Sequence, residues 1–229
     1  NLIPLIADPD NLRLAFWKAR KSKDAKEEVV LYRKNLDKNL LLLRNQLLSE
    51  NIDVGNYHYF KIYDPKERMI CAASFHERVL HHAIMNICHA SFEKHQIFDS
   101  YASRKGKGTY AAIERANSFH EKYKWYLKLD VRKYFDSIDH LILQQLLQRK
   151  FKDNKLLSIF HQIIDSYHTQ NKKGLPIGNL TSQYFANHYL SISDHFIKEK
   201  LQVKAYVRYV DDMVLWSNNK AKLLKIGKK

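Results

Sequence analysis

An α+β fold is the class this sequence predicts, and three observations predict it. Apolar residues return every three or four positions over long stretches, the pattern of helices with one buried face. Short runs rich in β-branched and aromatic residues are scattered among those stretches, the pattern of strands. The two kinds mix without the regular strand–helix–strand alternation of a doubly wound sheet. With 229 residues the chain can bury a core as one large domain or as two subdomains.

The elements are expected in this order. Leu12, Leu14, Ala15 and Trp17 form a first helical stretch, and Val29 to Glu50 carries leucines on one face. Tyr57 to Tyr63 reads as a strand, Asp64-Pro65-Lys66-Glu67-Arg68 as a turn, and Met69 to Ala73 as its hairpin partner. A long amphipathic helix covers Phe75 to Glu93. The glycine-punctuated run Ser103 to Thr109 opens a helix over Tyr110 to Tyr123, and Trp125 to Asp130 reads as a strand. Asp139 is expected to cap a helix reaching Arg149. An apolar stretch, Leu156 to Tyr167, precedes the polar loop Gln170 to Lys173, and a last helix runs from Thr181 to Lys200. No internal repeat and no low-complexity linker interrupts the chain.

Lysine and arginine number 39 against 24 acids, a formal charge of +15. Such an excess favours a polyanionic partner, a phosphate backbone first, although anionic membranes attract basic chains too. No apolar run approaches the roughly 20 residues that span a bilayer, and no signal-peptide pattern opens the sequence, so a cytoplasmic setting without a membrane is expected. Two cysteines, Cys71 and Cys88, exclude a disulfide framework. His81, His82, Cys88 and His89 fall on one expected helix but lack the i, i+4 spacing and third partner of a metal site.

Chemistry is carried by acids and glycines. Tyr209-Val210-Asp211-Asp212 lies between two strand-like runs, Lys204 to Arg208 and Met213 to Trp216, so a tight hairpin turn presents two carboxylates. Alone, such a turn is more often structural than functional. A third acid, Asp130, ends the strand that begins at Trp125, and acids at two strand ends can share one sheet. Hard divalent cations prefer oxygen ligands, and two ions about 3.5–4 Å apart promote in-line phosphoryl displacement. Gly174-Leu175-Pro176-Ile177-Gly178-Asn179 leads into Leu180-Thr181-Ser182-Gln183 at the start of the last helix. Glycine there permits close backbone approach to a ligand; the alternative is an ordinary loop with Thr181 or Ser182 as helix cap.

In order, Asp130 with Phe135, Leu175-Pro176-Ile177-Gly178 with Ser182-Gln183, and Tyr209-Val210-Asp211-Asp212 resemble the palm motifs of reverse transcriptases. The resemblance extends upstream through Lys66, Arg68 and Ser100 to Thr109, similar to the fingers motifs of retron and group II intron enzymes. It implies a right-hand polymerase: a mostly helical fingers region over 1–122 with a basic β-hairpin, and a palm over 123–229 built on a small antiparallel sheet with packed helices. It also implies an enzyme copying template RNA into cDNA with two Mg²⁺ ions, Mn²⁺ being the alternative metal. Asn11 to Arg20, Ile62 to Lys66 and Ile177 to Gln183 most resemble the enzymes of diversity-generating retroelements. Many other reverse transcriptases carry glutamine where Ile177 stands, and the resemblance links this change to errors at template adenines; the alternatives are a reverse transcriptase of a retron, group II intron or CRISPR-associated system, or a non-catalytic RNA-binding scaffold with the same fold.

Roles follow from the resemblance. Asp130 and Asp211 would hold both ions with the Val131 carbonyl, Asp212 standing nearby. Phe135 would act as a steric gate against the ribose 2′-hydroxyl. Arg104 and Lys107 would hold the dNTP triphosphate, and Ile177 with Gly178 would line the nucleotide pocket. Lys66, Arg68, Arg78, Ser182 and Gln183 would track the template RNA or the RNA–DNA hybrid. A small basic accessory protein is a further implied partner. The family carries a thumb after the palm, absent from this sequence, so weak duplex binding and poor primer extension are expected of the chain as given.

Overall fold

The computed structural model describes residues 1–63 and 66–227, so Asp64 and Pro65 of the expected turn lie outside the described residues. The chain runs α1 (Ile3–Ile6), α2 (Pro9–Arg20), α3 (Glu27–Lys34), α4 (Leu36–Leu48), β1 (Tyr57–Tyr63), β2 (Glu67–Ala73), α5 (Phe75–Glu93) and α6 (Thr109–His120). It continues through β3 (Trp125–Leu129), α7 (Tyr134–Ser137), α8 (His140–Lys150), α9 (Asn154–Asp165), α10 (Leu180–His195), a π-helical turn (Phe196–Lys200), β4 (Ala205–Tyr209), β5 (Asp212–Ser217) and α11 (Lys220–Ile226). The α+β class is therefore the observed one. No described helix is long and apolar enough to cross a membrane.

Two compact units emerge, each built from two chain segments that draw on both sides of residue 122. The first comprises 1–91 and 135–182, the second 92–134 and 183–229.

In the first unit Asp8 caps α2 by accepting from the Asp10 and Asn11 amides, with Pro9 at the first helical position. That places Leu12, Ala15 and Phe16 on the buried face. Phe16 stacks on Tyr32 with ring centroids 6.0 Å apart, and both meet Phe75 edge-on at 6.0 and 5.1 Å. β1 and β2 form an antiparallel ribbon from Tyr57↔Ala73 to Tyr63↔Glu67. Asp139 caps α8 as expected, accepting from the Ile142 amide, and Phe151 of the following loop meets Phe160 of α9 edge-on at 5.4 Å.

Two expectations are corrected. The single helix over Val29 to Glu50 is broken at Asn35, whose backbone (φ −120°, ψ 37°) leaves helical geometry. The Tyr32 carbonyl, which loses its helical donor at the break, accepts instead from the Asn35 backbone amide at 3.3 Å and from the Asn39 side-chain amide at 2.9 Å. Secondly, α10 starts at Leu180, so Thr181 and Ser182 lie inside its first turn and do not cap it. Asn179 precedes the helix, and its side-chain oxygen instead accepts from the Ala73 amide at 3.2 Å.

The second unit is a three-stranded antiparallel sheet in the order β3-β5-β4. Alternation gives it two apolar faces. Ala205, Val207 and Trp216 pack with Ala112 and Phe119 of α6. Tyr206, Met213 and Leu215 pack with Ile197, Val203 and Leu223 on the other side. The segment 99–101 runs alongside β4: the Arg208 amide donates to the Asp99 carbonyl and the Tyr101 amide to the Arg208 carbonyl, each at 2.9 Å.

Candidate active site

The sheet of the second unit gathers the three acids at one end. Tyr209 pairs with Asp212, leaving Val210 and Asp211 as a two-residue hairpin turn. Val210 has φ 56° whereas Asp211 is not among the left-handed residues, so the turn is of the mirror-image class with its positive φ at the first position. Glycine is the usual occupant there, and a β-branched residue is strained. β3 pairs with β5 up to Leu129↔Met213, so the next residue, Asp130, falls beside Asp212. Asp130 is exposed, and Asp211 and Asp212 are part-buried.

A cation is already drawn to this corner. Lys128 Nζ lies 2.9 Å from an Asp212 oxygen. The hydrogen bond and charge of Asp212, reinforced by Asp130, raise the Lys128 pKa above its ordinary value. Carboxylate oxygens at an open sheet end are a donor set suited to a hard divalent ion. As the side chains stand, no three His, Cys, Asp or Glu groups among the described residues converge on one point. Val131, next in sequence to Asp130, packs its side chain against the apolar cluster beneath the sheet.

Arg208, two residues before the turn, is a participant the sequence reading missed. It and Asp194 are both fully buried. Its Nε donates to both Asp194 oxygens at 2.8 and 3.0 Å, and Nη2 donates to Asp194 Oδ2 at 2.7 Å. Nη1 donates to Asn187 Oδ1 at 3.0 Å and to the Val210 carbonyl at 2.8 Å. Burial opposes the charge, but Asp194 outweighs it and holds the guanidinium above its ordinary pKa. The available signal was a charged residue inside an otherwise apolar strand, which demands a buried partner.

The basic loop belongs to the same unit. Left-handed Ser103, Gly106 and Gly108 shape it, and the Gly108 amide donates to the Tyr101 carbonyl. Arg104 donates to the Glu93 carboxylate through Nε and Nη2 and to the Ile97 and Ser100 carbonyls through Nη1 at 2.6 Å. Lys107 sits 3.4 Å from the Phe98 ring centroid and donates to the Phe98 carbonyl. Burial, then the charge of Arg104, lowers the Lys107 pKa. Both expected triphosphate residues are thus engaged by protein groups. Exposed Gln183 accepts from the Ser103 hydroxyl at 3.2 Å, and Thr109 donates to the Tyr209 hydroxyl at 2.9 Å.

The other expected site residues lie in the first unit. The loop after α9 folds onto β2 and α7: the Leu175 amide donates to the Phe135 carbonyl and the Cys71 amide to the Ile177 carbonyl, each at 2.9 Å. Phe135 and Ile177 are thereby held by one loop. Gly178 has φ +119°, and a Cβ there would stand 3.0 Å from the Ile70 methyl, so this close approach requires glycine. Ser182 is buried. Lys66 and Arg68 are exposed on the ribbon, whereas Arg78 is ion-paired with Glu28.

Comparison with known proteins supplies the context. The family model "Reverse transcriptase (RNA-dependent DNA polymerase)" matches residues 63–229. The chain is 23% identical over 217 residues to the putative COX1/OXI3 intron 1 protein of Saccharomyces cerevisiae, covering 89% of this chain and 26% of that protein. It is 25% identical over 147 residues to the group II intron-encoded protein LtrA of Lactococcus lactis subsp. cremoris, covering 61% and 24%. The chain thus spans about a quarter of these relatives' length. The structure of apo telomerase from Candida tropicalis shares the fold at TM-score 0.58 and 15% identity, over 77% of this chain and 41% of that one. With a family match across most of its length, and with the acids of the Tyr209–Asp212 motif and Asp130 on adjoining strands, the chain belongs to the reverse transcriptase (RNA-dependent DNA polymerase) family.

Proposed function

We propose that this chain is the fingers and palm, 1–122 and 123–229, of an RNA-directed DNA polymerase that copies a template RNA into cDNA. The observation that carries the reading is the sheet register bringing Asp130 alongside the Asp211–Asp212 turn within a matched family domain. Asp130, Asp211 and the Val131 carbonyl would hold two Mg²⁺ ions, or Mn²⁺, with Asp212 beside them. Bound there, such ions activate an attacking hydroxyl and stabilise the leaving oxygen. Phe135 excludes a 2′-hydroxyl by bulk. Arg104 and Lys107 reach a triphosphate only by leaving Glu93 and Phe98, so substrate binding and loop closure are coupled. Lys66, Arg68 and Arg78, with Ser182 and Gln183, follow the template strand, contacts to phosphate being independent of sequence.

The finer reading is error-prone copying at template adenines in a diversity-generating retroelement, with a small basic accessory protein as partner. Ile177 supports it: an aliphatic side chain offers no hydrogen bond to a misaligned pair, a loss of roughly 1–3 kcal/mol of discrimination. The group II intron-encoded relatives favour a second reading, an intron, retron or CRISPR-linked enzyme of ordinary fidelity. Primer extension on an RNA template with Mg²⁺ by a version of the protein that includes a thumb, followed by product sequencing, tests both. Asp211→Ala should abolish synthesis, and undiminished synthesis would remove its assigned role. Adenine errors should fall in Ile177→Gln; an unchanged spectrum sinks the fidelity argument and leaves the second reading.

A further inference from the structure

We infer that Arg208 and Asn187 are positioning residues that tie the metal-carrying turn and the triphosphate-binding loop to one buried guanidinium. The inference rests on the polymerase reading and deepens it. Arg208 Nη1 holds two acceptors at once. One is the carbonyl of Val210, the strained left-handed residue immediately before Asp211. The other is Asn187 Oδ1, whose amide in turn donates to the Ala102 carbonyl at 2.9 Å, at the root of the loop carrying Arg104 and Lys107. Asp194 fixes the far side of the guanidinium plane with three hydrogen bonds, so the fork cannot rotate away from either acceptor. The Arg208 backbone adds a second tie to the same loop through Asp99 and Tyr101.

The geometry has a direct consequence. A left-handed β-branched residue relaxes when nothing holds its carbonyl, and Asp211 then leaves its position at the sheet end. Lysine keeps the charge of Arg208 but has no planar fork, so it cannot serve Asp194, Asn187 and Val210 together. Glycine at 210 adopts the same φ without strain and has less need of the brace.

The test titrates Mn²⁺ by electron paramagnetic resonance into the parent chain, Arg208→Lys, Arg208→Lys/Val210→Gly, Asn187→Ala and Asp211→Ala, with circular dichroism confirming folding. Single-nucleotide extension of oligo(dT) on poly(rA) with dTTP is measured in parallel with the same substitutions in a version of the protein that includes a thumb. Arg208→Lys should weaken Mn²⁺ affinity roughly five- to thirtyfold, the cost of left-handed strain expressed as a ratio. Adding Val210→Gly should restore most of it, a rescue that a merely structural arginine would not show. Asn187→Ala should keep parental Mn²⁺ affinity and raise the KM for dTTP without a matching fall in kcat. Parental affinity in Arg208→Lys, or no recovery in the double variant, overturns the inference while leaving the polymerase reading intact. If Arg208→Lys does not fold, Asn187→Ala decides, and an unchanged KM overturns it. Parental Mn²⁺ affinity in Asp211→Ala overturns the metal reading, and this inference with it.

Discussion

Asp194→Ala should be among the most damaging single substitutions in the second unit. Arg208 and Asp194 are both fully buried, and the carboxylate accepts from Arg208 Nε and Nη2 and from the Tyr206 hydroxyl at 2.7 Å. Removing it leaves a charged guanidinium and a phenol without that acceptor, in a place water does not reach. Breaking a buried pair from one side costs about 3–5 kcal/mol, and the orphaned hydroxyl raises the figure within that range instead of adding in full. At about 2–4 °C per kcal/mol for a chain of this size, the thermal midpoint should fall by roughly 6–20 °C. Thermal unfolding followed by circular dichroism gives the number. The companion variant Asp194→Leu/Arg208→Met, which removes both charges, should regain much of that loss, because an apolar pair of similar volume has no desolvation penalty. A midpoint drop under about 3 °C for Asp194→Ala would refute the claim that the pair sustains the sheet.

Three further outcomes are expected. Gly178→Ala forces an L residue into φ +119° with its methyl against Ile70, and should cost about 1–2 kcal/mol by denaturant titration. Burial, aided by His81, Lys18 and Lys23, pushes His82 down to about 4, so the folded chain resists protonation there. Stability from this group is complete above the unfolded pKa near 6.5 and declines as pH falls towards 4, by up to about 1.4 kcal/mol per pH unit. His82→Gln should flatten that part of the profile; the same slope in the variant rules the assignment out. Cys88 is fully buried and its thiol is pushed up to about 12 by burial, so Ellman's reagent at pH 8 should label it only on unfolding.

Local patterns were legible where residue type and spacing alone favour one backbone conformation. The aromatic and β-branched composition of Tyr57 to Tyr63 and of Met213 to Trp216 marked strands, and Phe75 to Glu93 was read at its observed bounds. Asp139 announced its cap because the signal is local. The break at Asn35 was not legible, since leucine periodicity runs through it and the hydrogen bonds that close the first helix, from the Asn35 amide and the Asn39 side chain to the Tyr32 carbonyl, leave no mark on that pattern. The role of Asn179 was hidden for a similar reason: its side chain serves β2, more than a hundred residues earlier.

The sequence by itself determined the chemistry available: three acids at strand ends, a glycine-guided loop, and a charge of +15 suited to a phosphate backbone. Residue type and spacing suffice for that, because strand alternation and turn preference are local properties of the backbone. Only the tertiary structure decided what surrounds those groups. It paired Arg208 with Asp194, gave Arg104 to Glu93, and put Val210 in a left-handed turn braced by a guanidinium. Burial makes the difference: a charge removed from water must find its partner across the fold, and no local pattern says where that partner lies.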